Sequence, residues 1–82
     1  MKLPRDLSGA ELAGLLRRFG YEVTRQTGSH LRLTSTLRGT EHHISIPRHR
    51  SLRVGTLSSI LADVATYLER AREDLANELF GN

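Results

Sequence analysis

Apolar positions along this chain change their spacing twice. Leu12, Leu15, Leu16 and Phe19 fall at i, i+3, i+4 and i+7, the spacing of one helical face. Ser8-Gly9-Ala10-Glu11 in front of them has the form of a capping box, Leu7 and Leu12 sit where a hydrophobic staple belongs, and Gly20 stands where glycine ends helices. The pattern predicts a helix over about residues 9–19. Beyond Gly20 the period drops to two. Tyr21 and Val23, Leu31 and Leu33, then Ile44 and Ile46 alternate with polar neighbours and predict three short strands. Thr27-Gly28-Ser29 and the polar segment around Leu37-Arg38-Gly39-Thr40 are too short for crossovers, so the strands form an antiparallel meander, which Pro47 ends because it cannot donate to the ladder. The helical period then returns. Thr56 is the expected cap, and Leu57, Ile60, Leu61, Val64, Leu68, Ala71, Leu75 and Leu79 form one stripe with no Gly or Pro between Thr56 and Phe80.

The order helix, three strands, helix gives an α+β fold. Apolar residues occupy one parity of each strand, so both helices should cover one sheet face and leave the other open. With 82 residues and no internal repeat, residues 1–82 read as a single domain. A domain of this size encloses no large cavity, so a functional site belongs on an open face or groove.

Composition narrows the chemistry. The chain has no cysteine, which excludes a disulfide framework and thiolate metal clusters. The N-terminal MKLPRDLSGAEL lacks the apolar run of a signal peptide, and no stretch is apolar enough to span a bilayer. A soluble cytoplasmic protein with no membrane partner is the expectation. The net charge of +3 conceals a segregation: residues 1–55 carry ten Lys/Arg against four Asp/Glu, a net +6, and the remainder two against five, a net −3. Eleven of the twelve cations are Arg, whose forked donors suit phosphate.

Strand alternation then selects residues. With Leu31 and Leu33 directed into the core, His30, Arg32 and Thr34 belong to the open face, joined by His43 and Ser45. A neutral imidazole near pH 7 can take the proton of a ribose 2′-hydroxyl, and guanidinium groups can hold the charge that gathers on phosphate. This chemistry requires RNA, since DNA lacks the hydroxyl. Gly28 and Ser29 would let backbone N–H groups approach a phosphate oxygen, and Arg48, His49, Arg50 and Arg53 form a basic loop suited to gripping phosphate. By itself Gly-Ser-His is three ordinary hairpin residues, so an exposed turn histidine remains open at this point. No metal site is expected: adjacent His42 and His43 point to opposite faces of a strand and cannot readily share an ion with His49. His42 falls on the apolar parity, at the border of the core.

The segments "LSGAELAGLLRRFGYEVTRQTGSH", "GSHLRL", "HHISIPRH" and "PRHRSLRVGTLSSIL" resemble, in order and spacing, the HicA (YcfA-like) toxin family over nearly the whole chain. The resemblance implies a fold like the double-stranded RNA-binding domain (dsRBD-like α-β-β-β-α) and a ribonuclease toxin of a type II toxin–antitoxin pair that cleaves mRNA. Its catalytic histidine maps onto His30, with Gly28 and Ser29 as the turn, and its partner is a HicB-like antitoxin that covers the active face. Cleavage is read as metal-independent, with no cofactor, and Gly28, Ser29, Arg32, His43, Arg48, His49, Arg50 and Arg53 as RNA-binding candidates. The alternative is a non-catalytic RNA-binding module of the same fold. One departure stands out: relatives often break the C-terminal segment at Gly-Leu-Ser, where this chain has Glu69-Arg70-Ala71. One long C-terminal helix from about Thr56 to Leu79, at most weakly kinked, is therefore expected. Such a helix would expose Leu75, Leu79 and Phe80 as a surface for self-association.

Overall fold

Ser8 starts the first helix through both halves of a capping box. Its Oγ accepts from the Glu11 N–H at 3.0 Å and its own N–H donates to Glu11 Oε1 at 2.9 Å. These bonds hold the Glu11 carboxyl below its usual range, the backbone N–H of Ser8 contributing most. In the computed structural model, which describes residues 3–81, α1 spans Gly9–Leu16 and continues as a 3-10 turn over Arg17–Phe19. Gly20 closes it with φ +81°, where a Cβ would also meet Ser35 Oγ at 3.0 Å. That Ser35 hydroxyl is buried and donates to the Phe19 carbonyl at 2.8 Å, tying the helix end to the sheet.

The three strands are β1 (Glu22–Gln26), β2 (His30–Ser35) and β3 (His42–Pro47), antiparallel in the order β1-β2-β3. Leu31, Leu33, Ile44 and Ile46 are buried beneath the helices, whereas His30, Arg32, His43 and Ser45 face solvent. The one-face-covered sheet inferred from the alternation is what forms. β1 is the less covered edge: Val23, directed to the helix side opposite Leu33, remains 47% exposed. At the other edge α1 approaches the end of β3 so closely that a Cβ on Gly9 would lie 2.0 Å from the Pro47 carbonyl oxygen, and the Gly9 N–H donates to the His49 carbonyl at 3.0 Å. Only glycine permits that approach.

The C-terminal half departs from expectation in two places. Helix α2 is Val54–Leu68, beginning two residues before Thr56, with Arg53 at its cap and no side-chain capping bond. Leu52 explains the early start: it is buried, its N–H donates to the Leu7 carbonyl at 2.7 Å, and the chain turns helical directly after this anchor. The single long helix is also corrected. Glu69 takes the left-handed conformation at φ 57°, ψ 47°, Ala71 is extended, and a separate α3 runs Arg72–Phe80. The physical reason is burial. A straight helix would carry Leu75 and Leu79 into water, whereas the break folds α3 back so that Leu75 is 0% and Leu79 9% exposed, with Phe80 packed against the same core. Arg70 supports the turn, lying 5.5 Å over the Phe19 ring and pairing with Glu78 at 2.7 Å. The exposed apolar end on which self-association rested therefore does not exist. Among the described residues no helix is long and apolar enough to cross a membrane.

Candidate functional site

The β1–β2 hairpin places His30. Its turn is closed by the Thr27 N–H donating to the His30 carbonyl at 2.9 Å and by the His30 N–H donating to Thr27 Oγ1 at 3.1 Å. Thr27, which the motif reading passed over, thus fixes the backbone of His30 from both sides. Ser29 Oγ lies 2.9 Å from His30 Nδ1, and Nε2 has no hydrogen-bond partner among the described residues. When Nδ1–H donates to Ser29, the free lone pair sits on Nε2, the form a general base requires. Gly28 is demanded neither by its backbone angles nor by crowding: its φ is not positive, and a Cβ there would meet nothing within 4 Å. The turn beside His30 is open to solvent.

The register divides the outer face into rows. His30 stands opposite Pro47; Arg25, Arg32 and Ser45 form the next row across all three strands; Thr34 stands opposite His43 in the row beyond. Arg25, Thr27, His30, Arg32, His43 and Ser45 line a shallow groove of about 330 Å³. A second depression of about 470 Å³ continues from His30, Ser45 and Pro47 onto Gly55, Thr56 and Ser59 at the start of α2. His30 and Ser45 are common to both.

Arg25 is the residue that strict alternation misassigns. Counting by twos from Tyr21 and Val23 puts it on the helix side, but an irregularity between Val23 and Arg25 inserts Thr24 as an extra residue and returns Arg25 to the outer face opposite Arg32. A charged residue on the apolar parity was the available signal. Thr24 Oγ1 secures the bulge, lying 2.8 Å from Thr34 Oγ1 and 3.4 Å from the Arg32 carbonyl.

The remaining candidates separate. His43 is held by Thr34 Oγ1 at 2.8 Å on Nδ1 and by Glu41 at 3.5 Å on Nε2, at the end of the groove away from His30. Arg48 is latched to the hairpin turn: its N–H donates to the Ser29 carbonyl at 2.8 Å and its guanidinium reaches the Thr27 carbonyl at 3.5 Å. Arg48, His49 and Arg50 together border a different depression beside Ser8 and Ala10 at the start of α1, and Arg53 caps α2. Of the loop that reads as one basic cluster, three residues thus share a depression and Arg53 stands apart. His42 is turned away from the groove altogether. Tyr21 Oη lies 2.6 Å from its Nδ1, Asp63 3.1 Å from its Nε2, and Tyr67 stacks on it with centroids 4.7 Å apart. Burial, with smaller contributions from Tyr67 and Asp63, raises the Tyr21 phenol well above its usual value and keeps it a neutral hydroxyl in this network. No three His, Asp or Glu residues gather as a metal-binding group among the described residues.

Charge is compensated unevenly. Arg18, Arg38 and Arg70 pair with Glu78 and Glu69 around the C-terminal helices. Arg25, Arg32, Arg48, Arg50 and Arg53 have no carboxylate partner among the described residues. Two unpaired guanidiniums facing each other across β1 and β2 repel, an arrangement suited to a polyanion that supplies the missing charge.

Residues 9–65, from the start of α1 into α2, match the family model described as the HicA toxin of bacterial toxin–antitoxin systems. The chain belongs to the HicA toxin family. No curated protein sequence and no solved structure matches it significantly. As a HicA-family protein it is the toxin of a toxin–antitoxin pair and has an antitoxin partner. The HicA match contains the whole hairpin, the groove and the basic loop, whereas α3 lies beyond it.

Proposed function

We propose that this toxin is a metal-independent endoribonuclease that cleaves mRNA at the outer sheet face, with His30 as its catalytic residue. The observation that carries the reading is an exposed imidazole with Nδ1 engaged by Ser29 and Nε2 unpartnered, one row from two guanidiniums without counter-ions. His30 Nε2 takes the proton of a ribose 2′-hydroxyl. The oxygen attacks the adjacent phosphorus, the bond to the 5′-oxygen breaks, and the products are a 2′,3′-cyclic phosphate and a 5′-hydroxyl end. The proton that the leaving oxygen needs returns from the same imidazolium or through water, so the step is balanced without a co-reactant. Arg32, one row from His30, holds the RNA backbone through its phosphates, and the open turn at Gly28 and Ser29 admits the strand. Arg48 braces that turn, while His49, Arg50 and Arg53 contact flanking RNA.

His43 does not fit as the second proton-transfer group. It pairs with Thr34, four residues along β2 from His30, which at the strand rise of roughly 3.3 Å per residue is about 13 Å away. That is too far to share one phosphate, so we assign it to binding. The antitoxin is read as HicB-like and as covering this face, and the toxin as acting in the cytoplasm.

The direct test incubates purified protein with an RNA oligomer in EDTA. A 5′-hydroxyl product and a cyclic phosphate, with no cut where a single 2′-deoxy nucleotide replaces the cleavage-site ribose, are the results this mechanism requires. Salt-dependent binding without any product would instead favour the non-catalytic module.

A further inference from the structure

The bulge in β1 has a cost that packing does not repay. It breaks the alternation and delivers Arg25 to a position directly opposite Arg32, where like charges weaken a strand pair. Neither guanidinium finds a carboxylate among the described residues, although the chain pairs several of its arginines elsewhere. Both line the groove that holds His30. Were β1 regular, Thr24 would stand opposite Arg32 and Arg25 opposite Leu31 on the helix side, and Arg32 would face the groove without it.

We propose that Arg25 is a phosphate-binding residue of the His30 groove, placed there by the Thr24 bulge, and that Arg25 and Arg32 together clamp the phosphate next to the scissile one on an RNA strand. The proposal rests on the reading of this face as the RNA site and adds a subsite to it. Geometry supports the assignment. The Arg25–Arg32–Ser45 row lies two residues along β2 from the His30–Pro47 row, a separation of about 7 Å that suits a neighbouring phosphate rather than the reacting one. Thr24 is the positioning residue, through its bonds to Thr34 and to the Arg32 carbonyl. Anion binding between the two guanidiniums turns their repulsion into a shared attraction. The free protein is therefore less stable than it need be, and the complex is tighter.

That trade-off separates a binding role from the main alternative, in which an edge arginine merely discourages strand pairing with other chains. The measurement uses the inactive His30→Ala protein and a labelled single-stranded RNA oligomer, titrated across a salt series, with Arg25→Gln, Arg32→Gln and Arg38→Gln each added to that background. Arg25 is exposed on an edge strand, so the variant folds; its melting temperature at low salt should rise by about 2 °C as the repulsion is removed. Its RNA affinity should fall about tenfold, and the slope of log K against log salt should shrink by about 0.7, the loss of one phosphate contact on a single strand. Arg38→Gln, on a residue paired with Glu69, should leave the slope unchanged. Parent affinity and slope in Arg25→Gln, with Arg32→Gln still weakened, would overturn the clamp while sparing the RNA face. Absence of salt-dependent binding in the parent, with no effect of Arg32→Gln, would overturn both.

Discussion

His30 and His43 share the outer face of the sheet but stand at opposite ends of it: His30 pairs with Pro47 at one end of β2 and β3, and His43 pairs with Thr34 near the other. Their roles should separate in kinetics. Replacing His43 with Gln should raise KM for an RNA substrate about fivefold, the loss of a single modest hydrogen bond, and leave kcat nearly unchanged. Replacing His30 should remove kcat by about three orders of magnitude, the range of a lost acid–base group. Single-turnover cleavage of one oligomer by both variants makes the comparison. Equal losses of kcat would mean that the two histidines act on the same bond.

His42, the immediate neighbour of His43, is a fold residue. It accepts or donates at both ring nitrogens, to Tyr21 and Asp63, and stacks on Tyr67. His42→Ala leaves the buried Tyr21 hydroxyl without this partner, at a cost of about 2 kcal/mol, or roughly 10 °C in melting temperature for a domain of this size. RNA cleavage by the folded fraction should be retained. Thermal unfolding and cleavage at a temperature where both proteins are folded test the pair of statements.

The elements set by local pattern are legible in the residues themselves. Ser8 to Glu11 caps α1, Gly20 ends it with the positive φ its position implied, and the parity of Leu31, Leu33, Ile44 and Ile46 divides the sheet into a covered and an open face. The outward facing of His30 followed from that parity. Two features were not legible, and each depends on long-range packing. One extra residue at Thr24 has no local signature except a charge where an apolar side chain belongs. The left-handed turn at Glu69 is locally disfavoured for a residue with a side chain, and only the burial of Leu75 and Leu79 against distant elements selects it. The composition of the basic loop carries no directions; Arg48, His49 and Arg50 share a depression at the start of α1, while Arg53 stands apart at the cap of α2.

The Glu69 turn makes its own prediction. Glycine enters the left-handed region without the penalty a Cβ imposes, so Glu69→Gly should stabilise the protein by about 0.5–1 kcal/mol. The exposed ion pair with Arg38 that it removes contributes only a few tenths. Urea denaturation should show a higher midpoint with an unchanged slope, and RNA cleavage should not change because α3 lies away from the groove. A lower midpoint would mean that the Arg38–Glu69 pair, not the backbone, decides the turn.

If toxicity is RNA cleavage performed at His30, paired induction of wild type and His30→Ala in a bacterial host separates the two proteins. Total RNA is mapped for new 5′ ends soon after induction, and soluble yield and melting temperature confirm that both proteins fold. Growth arrest with new mRNA ends in the wild type, and neither in a well-folded His30→Ala, is the predicted result. Arrest with the same new ends in His30→Ala would contradict it and move the chemistry to another residue of the face.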